Sequence, residues 1–177
     1  GGQIVIDYVW INSIPFTQDQ GTGVEKQPRN MHRMTLDLAS GRVNDEEFSD
    51  VFCEFSRVDE RRMGKPYRYG FAASSNRDWG DAHGYNCTGR FDFETGQTAL
   101  WEYGQEANAG EPVHVPNPDS EREEDGWVMC FVHNPGEGAF LSILSAGDLE
   151  RGPVCKVHIP GRVPNGFHAN WMNRLTL

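Results

Sequence analysis

The sequence predicts an all-β chain, and three observations carry that prediction. Short segments rich in β-branched and aromatic residues alternate with clusters of Gly, Pro, Asn and Asp along the 177 residues. One turn device, apolar-Asp-apolar-x-(Ser/Thr)-Gly, occurs twice, as Leu36-Asp37-Leu38-Ala39-Ser40-Gly41 and as Phe91-Asp92-Phe93-Glu94-Thr95-Gly96. No segment longer than a turn or two keeps a helical apolar period. A repeat of roughly 40 to 55 residues with several short strands per unit is the pattern of propeller blades, four-stranded sheets packed radially around an axis.

Gln3–Ile11 (QIVIDYVWI) is β-branched and aromatic with one Asp inside, which predicts a strand buried on both faces. Residues 13–29 are polar and contain Gly, as a loop would be. Residues 31–38 alternate, with Met34, Leu36 and Leu38 on one face and Arg33, Thr35 and Asp37 on the other. The first turn then reverses the chain: its Asp can accept backbone N–H bonds, and its Gly supplies a positive φ. Strands are expected at 52–58 and 67–73, joined by a charged, solvated run at 59–66. Residues 74–85, rich in Ser, Asn, Asp and Gly, read as an exposed loop. After the second turn come strands at 98–103 and 111–115, the latter interrupted by Pro112 and followed by Pro116. Residues 117–125 read as an acidic, exposed insertion. Strands at 127–133 and 139–144 flank the turn Asn134-Pro135-Gly136-Glu137-Gly138, and 154–159 is the last expected strand before a terminal loop.

Charge narrows the function. Twenty-six Asp and Glu against 16 Lys and Arg give a net charge of -10, a surface that repels phosphate backbones and anionic lipid, so nucleic acid is not an expected partner. The 4 cysteines, at 53, 87, 130 and 155, form no C-x-x-C pair and read as reduced core thiols of a cytoplasmic protein. Asn86-Cys87-Thr88 fits a glycosylation acceptor, which matters only in a secreted chain. The start, Gly1-Gly2-Gln3-Ile4, enters a strand pattern at once and reads as a cut chain without a signal peptide. No apolar run approaches the roughly 18 residues of a membrane helix.

Three residues stand out chemically. His168 lies in Val163-Pro164-Asn165-Gly166-Phe167-His168-Ala169-Asn170-Trp171, a turning, aromatic-flanked stretch. Glu54, in Cys53-Glu54-Phe55-Ser56-Arg57, and Glu111, in Gly110-Glu111-Pro112-Val113, each interrupt a strand-like segment that is otherwise apolar. If His168 ligates a metal at a propeller axis, its other ring nitrogen needs a fixed acceptor, commonly a carboxylate, and either glutamate suits that role. From the pattern alone, the glutamates read equally well as strand-end residues in water, and His168 as a packed imidazole.

Six blocks occur in order: Glu54-Phe55-Ser56-Arg57-Val58-Asp59-Glu60-Arg61-Arg62, Tyr67-Arg68-Tyr69-Gly70, the Asp92-x-x-Thr95-Gly96 turn, Glu111-Pro112-Val113-His114-Val115-Pro116, Asp125-Gly126-Trp127 and Gly166-Phe167-His168. Together they resemble the C-terminal portion of the carotenoid cleavage oxygenases, which include apocarotenoid and lignostilbene dioxygenases. The resemblance covers nearly the whole chain. It implies that residues 1–177 are the C-terminal part of a single seven-bladed β-propeller domain with Fe(II) on its axis, bound by four histidines that three glutamates support. By position, His168 resembles the last iron ligand, and Glu54 and Glu111 two of the supporting carboxylates. Ser56 stands where the family has Pro, Ala169 where it has Gly, and His114 where it has an aromatic; none of these removes a ligand.

The other three iron histidines would lie upstream of Gly1. His32, His83, His114, His133 and His158 read as structural or solvent-facing. The resemblance therefore implies an O2-dependent dioxygenase that cleaves a carbon-carbon double bond of an apolar alkene, a carotenoid, apocarotenoid or stilbene, into two carbonyl products. The remainder of the propeller would come from the parent polypeptide or a companion chain, the isolated chain would be inactive, and any membrane contact would lie outside these residues. Two alternatives stay open at this point: a non-enzymatic β-propeller binding module and a retinoid isomerohydrolase-type relative.

Overall fold

Three antiparallel sheets account for the regular structure in the computed structural model, which describes residues 2–11, 29–77, 84–164 and 166–172. The first sheet is β1 (Gln3–Ile11), β2 (Arg29–Asp37) and β3 (Val43–Ser49), in that order. The second is a four-stranded meander of β4 (Phe52–Arg57), β5 (Tyr69–Ser75), β6 (Cys87–Asp92) and β7 (Gln97–Glu102). The third holds β8 (Asn108–Ala109), β9 (Val113–Val115), β10 (Trp127–Asn134), β11 (Gly138–Ser145) and β12 (Asp148–Ile159), with β8 and β9 both paired to β10. Apart from β8 and β9, which share one edge of β10, consecutive strands are neighbours within each sheet, as expected of an all-β chain built from blade-like units. Among the described residues no helix is long and apolar enough to cross a membrane.

The repeated turn folds the same way in both copies. Asp37 Oδ1 accepts from the N–H groups of Ala39 and Ser40 at 2.9 Å each, and Asp92 Oδ1 from those of Glu94 and Thr95 at 3.1 and 3.3 Å. Gly41 and Gly96 close the turns at φ +68° and +74°, where a side chain would be strained.

Alternation along β5 explains how the sheets stack. Phe71 enters a core shared with Tyr103, just beyond β7, and with Val128, Val132, Phe140 and Leu144 of the third sheet. Its neighbour Ala72 faces the other way, into a core with Met31, Cys53, Phe91 and Phe93. The second sheet is thus covered on both faces. Truncating Phe71, fully buried, to Ala costs about 3–5 kcal/mol.

Several expectations are corrected. β1 is not buried on both faces: among the described residues β2 is its one partner strand, and Ile4, Val5 and Ile6 are exposed because no described layer covers either face at that end of the strand. Ser74 and Ser75 belong to β5 and are buried rather than looped out. Glu123, in the acidic run, is buried because its carboxylate accepts from the backbone N–H groups of Arg68 and Tyr69. β12 starts at Asp148, well before residue 154; Pro153 is tolerated there because β12 is an edge strand whose register breaks beside Leu144. Cys53, Cys87 and Cys130 are buried thiols, but Cys155 on β12 is exposed. Asn86 is fully buried and bonded to Asn76 and Ser75, so it offers no acceptor for a glycan. Of the loop expected at 13–29, Arg29 opens β2 and the rest lies outside the described residues, as do residues 78–83 of the loop expected at 74–85, His83 among them.

Candidate functional site

β4 is not a regular strand. Its pairing with β5 slips between Glu54 and Arg57, and Phe55 within the slip adopts φ +56°, a left-handed conformation unusual for a non-glycine residue. The bulge lets nearby side chains leave the strand in different directions. Glu54 turns toward Arg29 and Tyr85, while Arg57 turns toward the loop that follows β12.

A second interruption places Glu111. β8 and β9 lie along the same edge of β10, opposite residues 132–133 and 127–129, and the chain between them leaves the ladder. Gly110 still donates to Phe131 O at 2.8 Å, but Pro112 has no N–H to give. Glu111 stands at this break with its side chain 4% exposed.

Glu111 and His168 meet. Nδ1 of His168 lies 3.4 Å from Glu111 Oε1, and the backbone N–H of Ala169 donates to Oε2 of the same carboxylate. Arg57 approaches Glu111 Oε1 at 3.7 Å, so the buried carboxylate has a cation, an imidazole and an amide around it. The imidazole itself is 76% exposed, and Phe55 presents its ring edge-on to it at 5.8 Å between centroids. This differs from the aromatic enclosure that the sequence suggested: Phe167 and Trp171 are themselves exposed.

These groups border a cleft of about 500 Å³ whose walls include Phe55, Phe131, Val163, Pro164 and Phe167. Its lining mixes these apolar side chains with Asn108, Asn170, Glu111, His133 and His168, beside the phenol of Tyr85. Such a space takes an apolar ligand and orients it by a few polar contacts.

Glu54 occupies a different setting. Its Oε2 takes Arg29 at 2.7 Å and the Tyr85 hydroxyl, and it makes no contact with His168. Burial first, and then the bond to Glu54, pushes the Tyr85 phenol well above its ordinary pKa. Tyr85 stacks on Phe52 and meets Phe55 edge-on, so an aromatic row runs from Glu54 to His168.

The remaining described histidines have other surroundings. His114 is buried, stacked on Phe71 and 3.0 Å from Glu123 O, and burial lowers its pKa. His32 pairs with Asp45 and stacks on Trp10, and His158 lies by Glu137. His133 borders the cleft at the end of β10 without a hydrogen-bond partner for Nδ1 among the described residues. Among the described residues no group of three His, Cys, Asp or Glu side chains could hold a metal.

Sequence reasoning singled out neither Arg57 nor Tyr85. Arg57 carried a signal, since it follows Glu54 in the Glu54-Phe55-Ser56-Arg57 block. Tyr85 carried none, because its bridge to Ala109 is visible only in three dimensions.

Comparison with known proteins agrees with this architecture. The family described as retinal pigment epithelial membrane protein matches residues 1–173. Apocarotenoid-15,15'-oxygenase from Synechocystis sp. is 28% identical over 176 residues, covering 96% of this chain and 36% of the relative. Lignostilbene-alpha,beta-dioxygenase isozyme III from Sphingomonas paucimobilis is 33% identical over 156 residues, covering 80% of this chain and 31% of the relative. The crystal structure of cobalt-substituted Synechocystis apocarotenoid oxygenase superposes with a TM-score of 0.87 at 26% identity, covering 98% of this chain and 37% of that one. The chain thus spans about a third of the length of these relatives. By these matches and by its three antiparallel sheets, the chain belongs to the retinal pigment epithelial membrane protein family, that of the carotenoid cleavage oxygenases.

Proposed function

We propose that this chain is the C-terminal part of a seven-bladed propeller domain, and that it contributes His168 as one ligand of a non-haem Fe(II) centre. The complete protein would be an O2-dependent dioxygenase. It would cleave one carbon-carbon double bond of a carotenoid, apocarotenoid or stilbene, each product carbonyl taking one oxygen atom. The observation that carries this reading is the pairing of His168 Nδ1 with the buried Glu111 carboxylate at 3.4 Å. An ionised carboxylate can only accept, so in this pairing Nδ1 would carry the proton and leave the opposite ring nitrogen as a lone-pair donor, the arrangement a ligating histidine needs.

The donor chemistry fits iron. A neutral imidazole suits Fe(II), and a carboxylate behind it offsets part of the ion's charge without occupying a coordination position. Iron, when bound, supplies the activation of O2 that alkene cleavage requires. The residues of this chain do the rest of their work through position. Phe55 packs against the imidazole, Glu111 orients it, and the apolar walls of the cleft hold an alkene away from water. Glu54, partnered here by Arg29 and Tyr85, would support a histidine contributed from outside this chain. With one histidine of the set, the isolated chain would neither hold iron nor turn over.

The test is iron content, together with O2-dependent cleavage of an apocarotenoid and of a hydroxystilbene, in the complete polypeptide and its His168→Ala variant. Loss of both iron and turnover in the variant is expected, and the preferred alkene identifies the substrate class. Retention of both would leave His168 as a surface histidine and favour a binding module.

A further inference from the structure

Among the described residues, the segment that carries His168 has no strand to hold it: regular structure there ends with β12 at Ile159, and residues 160–164 and 166–172 make no ladder. Among the described residues, two side chains from elsewhere in the fold hydrogen-bond to residues 168–170: Glu111, already placed beside the imidazole, and Arg57. The Arg57 guanidinium donates from Nη2 to Ala169 O at 3.3 Å and to Asn170 Oδ1 at 2.9 Å. The same nitrogen lies 3.1 Å from Glu60 Oε1, and Nη1 lies 3.7 Å from Glu111 Oε1.

Each of these contacts has a structural origin. Glu60 opens the 3-10 turn Glu60–Arg62, which begins at the Asp59 cap directly after β4, so it holds the guanidinium from behind. The bulge at 54–57 aims Arg57 across the gap between the second and third sheets. A planar guanidinium with five donors can span several acceptors at once; an ammonium on a flexible stem cannot reproduce that fork. Arg57 therefore touches both the carboxylate that orients His168 and the backbone next to it.

We propose that Arg57 is a positioning residue for His168: it locks residues 169–170 against Glu111, so that the imidazole keeps one orientation when metal binds. This rests on the reading of His168 as a metal ligand. Arg57 touches neither metal nor substrate in this account. Its effect is transmitted through the loop, as expected of partners that orient a ligand and whose removal typically lowers metal affinity about 10- to 100-fold.

The experiment uses the complete polypeptide with Arg57→Ala, Arg57→Lys and, as a milder change at an exposed position, Asn170→Ala. Three quantities are read: Co(II) affinity, the visible absorption of bound Co(II), and hydrogen exchange of residues 166–172 against that of β5. For Arg57→Ala we expect about 10- to 100-fold weaker Co(II) binding, shifted cobalt bands and faster exchange at 166–172, with β5 unchanged. Arg57→Lys should recover little of this, and Asn170→Ala should shift affinity in the same direction by less. Faster exchange at 166–172 with unaltered cobalt affinity and bands would overturn the proposal, leaving Arg57 as a fastener between sheets; so would full rescue by Lys. Should Arg57→Ala fail to fold, Asn170→Ala decides between the same outcomes. Failure of the underlying reading shows separately, because His168→Ala would then keep the metal.

Discussion

Glu54 and Glu111 looked alike in the sequence, each a carboxylate in an otherwise apolar strand segment, and the fold treats them differently. Glu111 stands at the break between β8 and β9, 4% exposed, with its predicted histidine against it at 3.4 Å. Glu54 stands at the β4 bulge, 27% exposed at the side chain, and is held by Arg29 and Tyr85. Glu111 forms a completed carboxylate–imidazole pair at the cleft. Glu54 lies behind the Tyr85 wall of the cleft, a carboxylate whose neighbours here are a cation and a phenol. Residue type and strand context nominate a supporting carboxylate, but the identity of its partner is decided by which loop the topology brings alongside.

The comparison can be broken most severely with the two glutamines. In the complete polypeptide, Glu111→Gln should weaken metal binding about 10- to 100-fold, because the buried acceptor that orients His168 loses its charge. Glu54→Gln should leave the His168 loop untouched, with hydrogen exchange at 166–172 as in the parent. It should also lower the pKa of Tyr85, since one cause of its elevation is removed, while burial keeps it above the ordinary value; ultraviolet titration of the phenol reads this directly. Equal disturbance of residues 166–172 by both substitutions would erase the distinction.

A smaller effect separates His168 from His114, which lies three residues beyond Glu111 in sequence. His114 is enclosed by Phe71, Asp59, Arg61 and Glu123, and burial is the main reason its pKa is lowered. The folded protein therefore takes up a proton there less readily than the unfolded chain. The stability tied to this is complete above about pH 6.5 and is lost as pH falls below that value. Thermal denaturation between pH 7.5 and 5 should show this slope, and His114→Gln should flatten it whatever its absolute stability. A slope unchanged in the variant would assign it to other groups.

Much of the fold was legible because local chemistry dictated it. The Asp37 and Asp92 turns carry their acceptor and their positive-φ glycine in the sequence, and both form as written. The strand at 127–133, the turn at 134–138 and the strand at 139–144 follow from alternation and a Pro-Gly turn, and β10 and β11 pair across them. What was illegible is what tertiary partners decide. Glu123 looks solvated in a run of like charges, yet the backbone N–H groups of Arg68 and Tyr69, at the entry to β5, bind its buried carboxylate. β3 reads Val-Asn-Asp-Glu-Glu-Phe-Ser, an acidic stretch that is a strand because β2 templates it. The β4 bulge has no glycine to announce it, since Phe55 itself takes the positive φ.

At the site, the sequence and its family resemblance nominated His168, Glu54 and Glu111, and the fold brings the first and third together. It also shows why Arg57 follows Glu54 so closely: the bulge separates their directions, one toward Tyr85 and the other toward Ala169 and Asn170. The row Phe52, Tyr85, Phe55 and His168 links the surroundings of Glu54 to the cleft through ring contacts that no spacing rule anticipates.

In the proposed metal centre, Glu111 acts on the metal through His168. The most direct measurement is metal affinity of the complete polypeptide with Glu111→Gln and His168→Ala, singly and combined, as a double-mutant cycle. The account predicts that each single variant binds metal more weakly and that the double variant binds no more weakly than His168→Ala alone. Additive losses would contradict it, because Glu111 would then reach the metal centre by a route that does not pass through His168.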